Sequence, residues 1–135
     1  MVALTTPRIP PEKAGATSTA PVAAGVLIHG GAITVMEAGL AVPGKTAAGL
    51  IVLGIADATA DNSGGANGAL SVTTRRGTFA FQTLATDAVL PADIGKPCFL
   101  VDDQTVARTS AGNTRSEAGT VIDVDAQGVW VRLGF

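Results

Sequence analysis

Residues 93–133, DIGKPCFLVDDQTVARTSAGNTRSEAGTVIDVDAQGVWVRL, decide the fold of this chain. Pro97-Cys98-Phe99-Leu100-Val101 is an apolar run of strand length that stops at the acidic turn Asp102-Asp103-Gln104. Thr105-Val106-Ala107-Arg108 then returns, so the pair reads as a β-hairpin. A second hairpin is expected after a loop rich in Ser, Gly and Asn. Thr120-Val121-Ile122-Asp123-Val124 and Val129-Trp130-Val131-Arg132-Leu133 flank its turn, Asp125-Ala126-Gln127-Gly128. Strict alternation puts Ile122 and Val124 on one face with Asp123 and Asp125 opposite, and gives Val129, Val131 and Leu133 a common face. Trp130 and Arg132 then point to the polar side, where a Trp beside an Arg suggests contact with a protein partner.

Working outward, composition fits the same class. The chain has 135 residues, 47% of them apolar and 15% charged, which suits one domain with a packed core. Seventeen Gly, seven Pro and abundant Thr and Val favour short strands and turns over helices. A formal charge of −2 supplies no basic footprint for nucleic acid, so no nucleic-acid partner is expected. Mean hydropathy is positive, but the longest apolar run, Ala47 to Ala56, is far shorter than the roughly 20 residues of a membrane span, so no membrane association is expected. The first residues lack a basic region followed by an apolar one, so no secretory signal is expected. The single Cys98 leaves no internal disulfide and reads as a buried thiol, in keeping with intracellular synthesis.

From the beginning, Met1 to Ala24 carries Pro7, Pro10, Pro11 and Pro21 and shows no apolar periodicity. Proline removes amide donors and holds its neighbours extended, so this stretch is expected to be an arm. About 20 residues in polyproline geometry reach roughly 60 Å at about 3.1 Å each. The β-rich domain is expected from Gly25 to Phe135. Val26-Leu27-Ile28-His29, Ala32 to Met36, Leu50 to Ile55, Leu70 to Arg75 and Gly77 to Gln82 read as strands, with Leu50 to Ile55 central and buried on both faces. Gly39 to Gly44 reads as a bend, Asp61 to Gly68 as a loop, and Asp87 to Gly95 as room for one helical turn capped by Asp87 or Asp93. The expected fold is all-β: a small barrel or sandwich with at most one short helix.

Gly39-Leu40-Ala41-Val42-Pro43-Gly44-Lys45-Thr46 satisfies the phosphate-loop spacing GxxxxGK[ST]. That chemistry needs a helix N-terminus after the loop, and only Ala47, Ala48 and Gly49 separate Thr46 from the next strand. A chance match is the better reading, and no cofactor is expected. His29 is the only histidine and no GxSxG serine accompanies it, so neither a His-rich metal site nor a Ser-His-Asp triad is expected. Asp102-Asp103 and the pair Asp123 and Asp125 fit turn chemistry better than catalysis or calcium. Arg75-Arg76 read as solvated or interface charges. No enzymatic activity is expected.

The motifs Asp93-Ile94-Gly95-Lys96-Pro97-Cys98-Phe99-Leu100-Val101-Asp102-Asp103-Gln104-Thr105-Val106, Gly112-Asn113-Thr114-Arg115, Gly119-Thr120-Val121 and Val124-Asp125 with Gly128-Val129-Trp130-Val131 resemble a family of small head proteins of Mu-like and related tailed phages. More loosely, the resemblance reaches back to about Ala24. It implies a capsid decoration (cement) protein: a β-tulip-like domain that trimerises on the outer surface of the virion head, made in the bacterial host cytoplasm. Its implied partners are the major capsid protein and two further copies of itself, at three-fold and quasi-three-fold positions. The arm would clasp neighbouring head subunits, with Thr5, Thr6, Pro7, Arg8, Ile9 and Pro10 as candidate contacts and Arg8 and Ile9 as anchors. Phe79, Phe81, Trp130 and Arg132, with Val131, are the candidates for the trimer or capsid interface, Phe79 and Phe81 competing with an ordinary core role. Two alternatives stay open: another virion part such as a head–tail connector or tail-tube protein, and a small β-barrel enzyme or ligand-binding domain.

Overall fold

A computed structural model describes residues 2–13 and 15–135. The chain is all-β among the described residues. Its strands are β1 (Thr17–Pro21), β2 (Leu27–Ile28), β3 (Ile33–Glu37), β4 (Leu40–Pro43), β5 (Ile51–Ala56), β6 (Ala60–Asp61), β7 (Ser71–Arg75), β8 (Thr78–Thr83), β9 (Pro97–Leu100), β10 (Thr105–Ala107), β11 (Glu117–Asp125) and β12 (Gly128–Leu133). Where one helical turn was expected there are two 3-10 turns, Ala85–Asp87 and Pro91–Asp93. In the second, the Asp93 carboxylate accepts the Leu90 amide at 2.8 Å.

Both hairpins of the last third form, β9 with β10 and β11 with β12. Together with β8 they close a five-stranded barrel in the order β10-β8-β12-β11-β9. Closure depends on β8 running parallel to β10, with Thr105 opposite Gln82 and Val106 opposite Thr83. The remaining long strands form a second sheet, β1-β7-β5-β3-β4. Its two outer strands curl toward each other, since a bridge joins Val22 to Ala41 and the Ala23 amide reaches the Ala41 carbonyl at 3.1 Å. The pair β2-β6 lies beside it.

This layout gives two cores that share one wall. The larger core fills the closed barrel with Leu100, Val106, Val121, Val129, Val131 and Leu133, and takes Ile33, Val35, Val52 and Ile55 from the sheet. The smaller core takes Ala20, Val22, Ile28, Ala41, Leu53, Ala56 and Val72. Sheet β3-β4-β5 lies between them, which is why Val52 to Ala56 is buried on both faces; Ile51, expected to be buried within the run Leu50 to Ile55, is instead 55% exposed. Val52 and Ile55 sit three residues apart yet face the same core. A β-bulge permits this: Thr34 pairs with Gly54 and Val35 with Val52, leaving Leu53 as the extra residue aimed at the smaller core. Gly54 is required there, because it holds φ +142° and a Cβ would lie 2.4 Å from the Arg75 carbonyl oxygen.

β11 departs from alternation for the same reason. Bulges at Glu117/Gly119 and at Val121/Asp123 shift its register twice. Ala118 and Val121 enter the barrel core and Val124 packs against it, a spacing of three. Ile122 is thereby turned out to solvent, correcting the expected common face of Ile122 and Val124.

The expected arm also changes. Met1 and Ala14 lie outside the described residues. From Val2 to Lys13 every residue is exposed and belongs to no strand. Thr17–Pro21, however, is an edge strand of the sheet, paired along its length with β7. Side-chain hydroxyls join it across the sheet, Ser18 to Thr74 at 2.9 Å and Thr19 to Thr73 at 3.3 Å. Pro21, which can occupy an edge strand but not a central one, ends it. Ala20 and Val22 are core residues, so the body begins near Gly15 rather than Gly25.

Candidate interaction surface

Each sequence-derived candidate has a definite place in this frame. Thr5, Thr6, Pro7, Arg8, Ile9 and Pro10 all lie in the exposed segment, and Ile9 is 96% exposed. Val2 and Leu4 are exposed with it. Large aliphatic side chains held in water are each worth roughly 1.5–3 kcal/mol when fully buried, so this segment carries unspent apolar surface.

Phe81 is not a surface residue. It is 8% exposed and belongs to the barrel core, where its ring meets Phe79 edge-to-face with centroids 6.5 Å apart. β8 lies between β10 and β12, so its inward positions face the closed interior, and Phe81 is corrected from interface to core. Val131 is fully buried for the same reason. Phe79 is half-buried against the core, with the Arg75 guanidinium 5.7 Å from its ring centre.

Trp130 and Arg132 do face outward from β12. Trp130 is half-buried, and its indole Nε1–H donates to Asp125 Oδ2 at 2.9 Å. Asp125 Oδ1 meanwhile accepts the Gln127 amide at 2.8 Å and fixes the hairpin turn. Asp102 accepts the Gln104 amide and serves its turn as expected, whereas Asp123 lies within β11 beside the bulge and accepts the amide of its neighbour Val124.

One exposed apolar surface was missed by sequence reading. Leu90, Ile94 and Ile122 are each close to half exposed. The Gly95 amide donates to the Val121 carbonyl and the Val121 amide to the Lys96 carbonyl, so Ile94 and Ile122 flank this ladder on the barrel wall. Alternation placed Ile122 inside, and only the bulge exposes it. A second such surface lies between the start of β5 and the last residues of the chain, a groove of about 290 Å³ lined by Leu50, Ile51, Val52, Glu117, Gly134 and Phe135.

The phosphate-loop match resolves into ordinary β-structure. Leu40–Pro43 is strand β4 rather than the expected bend, and it follows a two-residue turn in which Ala38 and Gly39 both have positive φ. Lys45 pairs with Glu37 at 2.9 Å, and the Thr46 hydroxyl donates to the Val101 carbonyl at 2.7 Å. No phosphate cradle exists at these residues. His29 is exposed at a shallow cleft shared with Asp103 and Gln104. Among the described residues, no group of three or more His, Cys, Asp or Glu side chains lies together, and no helix is long and apolar enough to cross a membrane.

The strongest polar cluster holds the loop between β10 and β11. Asp87 Oδ2 accepts the Thr109 hydroxyl at 2.6 Å, the Thr109 amide at 3.1 Å and Arg115 Nη1 at 2.8 Å. The Thr109 hydroxyl foremost, with the Arg115 charge behind it, lowers the Asp87 carboxyl below its ordinary range. Nearby, the buried Asp93 carboxylate faces Arg108 at 3.2 Å and Lys96 at 3.9 Å. Asp61 is lowered by the Ser63 hydroxyl, which caps its own turn. Burial drives the Cys98 thiol the other way, up to about 12. These perturbed groups are accounted for by turns, loop anchoring and core packing. Comparison of the chain with protein-family models, with curated proteins and with solved structures finds no match.

Proposed function

We propose that this chain is a phage capsid decoration protein that binds the outside of the head as a trimer and stabilises the lattice of the major capsid protein. The observation that carries the reading is the exposed segment Val2 to Lys13, with Val2, Leu4 and Ile9 bare, rooted on a tightly packed β body. An extended segment that orders on a partner loses conformational entropy but can cover a large surface. Three such segments carried by one trimer raise the effective concentration of each, so weak individual contacts become strong together. Ligation that exists only on the closed lattice stabilises that lattice by mass action. The outward faces of Trp130 and Arg132, and the Ile94–Ile122 surface, supply further contact area for the trimer or the head.

The test is co-sedimentation of the purified protein with mature heads of its phage that lack it, counting bound copies. Saturation near one copy per head subunit, in trimers, supports decoration. Absence of binding, or only about a dozen copies per particle, overturns it in favour of a connector or tail component.

A further inference from the structure

The groove between the start of β5, Glu117 and the last residues has two properties of a peptide-binding site. Its walls are apolar and open, with Ile51 55% and Phe135 81% exposed. On the side of β5 that β7 leaves at Ile55, Gly134 of the same chain closes over the Val52 carbonyl, so only the side chains of Ile51 and Phe135 stand open to a second chain. The groove also holds Glu117, exposed and without an ion-pair partner among the described residues.

The chain contains a segment with the complementary features. Arg8 and Ile9 stand side by side in the exposed stretch, one cationic and one apolar, followed by the stiff pair Pro10-Pro11. We propose that the segment Thr5 to Pro11 of one copy lies in the Ile51–Phe135 groove of a second copy, with Ile9 between Ile51 and Phe135 and Arg8 facing Glu117.

Geometry favours exchange between copies over folding back. The Arg76 guanidinium donates to the Gly15 carbonyl and also lies 4.3 Å from the centre of the Phe135 ring. The segment is thus rooted directly beside its own groove. Six residue steps separate Ile9 from Gly15, roughly 19 Å at about 3.1 Å each in polyproline geometry. Pro10 and Pro11 keep the outer part of that path straight. Reaching its own groove would require the chain to double back between Ile9 and its root, whereas a neighbouring groove can be met by an extended chain.

The inference rests on the self-association in the proposed function. Its test uses Ile9→Cys in one preparation and Ile51→Cys in another, mixed and air-oxidised with a copper catalyst, then separated without reductant. Cys98 is fully buried and stays out of the reaction. A disulfide-linked pair containing one chain of each variant is expected. Leu27→Cys, exposed on the other lobe, should give none with Ile9→Cys. Glu117→Arg should lower the cross-linked yield at least several-fold, and adding Arg8→Glu to the Ile9→Cys chain should restore it. No mixed species, or an Ile9→Cys/Ile51→Cys double variant that closes only within one chain, overturns arm exchange. Sedimentation equilibrium of the unmodified chain separates the two ideas. An oligomer without cross-linking removes only the exchange, while a monomer without cross-linking removes the trimer as well.

Discussion

Asn62 shows how one side chain can hold two parts of the chain together. It is buried, and its amide nitrogen donates toward the carbonyls of Val22, Ala23 and Ala66 at 2.9 to 3.2 Å. Asn62→Ala removes the side-chain donor of the Ala23 carbonyl, while those of Val22 and Ala66 keep the Gly68 and Ala69 amides, at a cost of roughly 1–3 kcal/mol. Urea unfolding should report this as a lowered midpoint with unchanged slope; an unchanged midpoint would show that water replaces the amide. Cys98 gives a second residue-level expectation. With its thiol pushed up to about 12, it should resist aromatic disulfide reagents at mildly alkaline pH and react fully once the chain is unfolded. Asp87 gives a third. Its folded carboxyl is lowered from 3.8, so the stability it contributes is complete above that value and is lost as pH falls through the lower folded one. Amide exchange in the loop from Arg108 to Arg115 should therefore quicken on acidification below about pH 4 relative to the barrel strands. Asp87→Asn should remove this difference.

The element that best separates pattern from structure is β11. Read by alternation, Ile122 belongs to the core and Val121 to the surface; the two bulges exchange them. Val121→Ala should cost roughly 1–3 kcal/mol through the cavity it leaves. Ile122→Thr should stay within about 0.5 kcal/mol of the parent. Equal losses at the two positions would contradict the register. The bulges were not legible because nothing in Thr120-Val121-Ile122-Asp123 distinguishes an inserted residue from a paired one. They arise from long-range fit: Gly119 lies so close to β12 that a Cβ would sit 2.0 Å from the Arg132 carbonyl oxygen. β1 was hidden for a different reason. Thr17 to Pro21 has hydroxyls where an apolar alternation would be sought, and its partner β7 lies 50 or more residues away. The arm boundary follows from that strand. Removing residues 2–13 should leave the β body folded and weaken head binding, whereas removal through Ala24 strips Ala20 and Val22 from the smaller core and should prevent folding.

At the scale of the molecule, the all-β class and the strands of the last third were legible because turn residues punctuate apolar runs of strand length. The closure was not. A parallel β8–β10 pairing and a sheet shared by two cores depend on contacts distant in sequence, which local patterning does not encode. Among the candidate site residues, the exposed position of Arg8 and Ile9 and the outward face of Trp130 followed from proline content and alternation. Phe81 stayed open between interface and core because alternation shows which residues share a face but not which face a closed barrel turns inward. The shared wall also sets how the protein unfolds. Val35 and Val52 on one side and Ala41 and Leu53 on the other belong to the same three strands, so neither core can open alone. Fluorescence and far-ultraviolet circular dichroism should follow one coincident transition, and separated midpoints would show that the lobes are independent.

Trp130 sits on the outer wall of the barrel with its indole tied to Asp125, and the chain contains no second tryptophan and no tyrosine. Long-wavelength ultraviolet light therefore excites a single chromophore, placed on one face. Any molecule that settles on that face changes the polarity around one ring and shifts its emission, while a ligand elsewhere leaves the spectrum untouched. The molecule thus carries its own optical gauge, able to tell barrel-face docking from arm engagement without an added label.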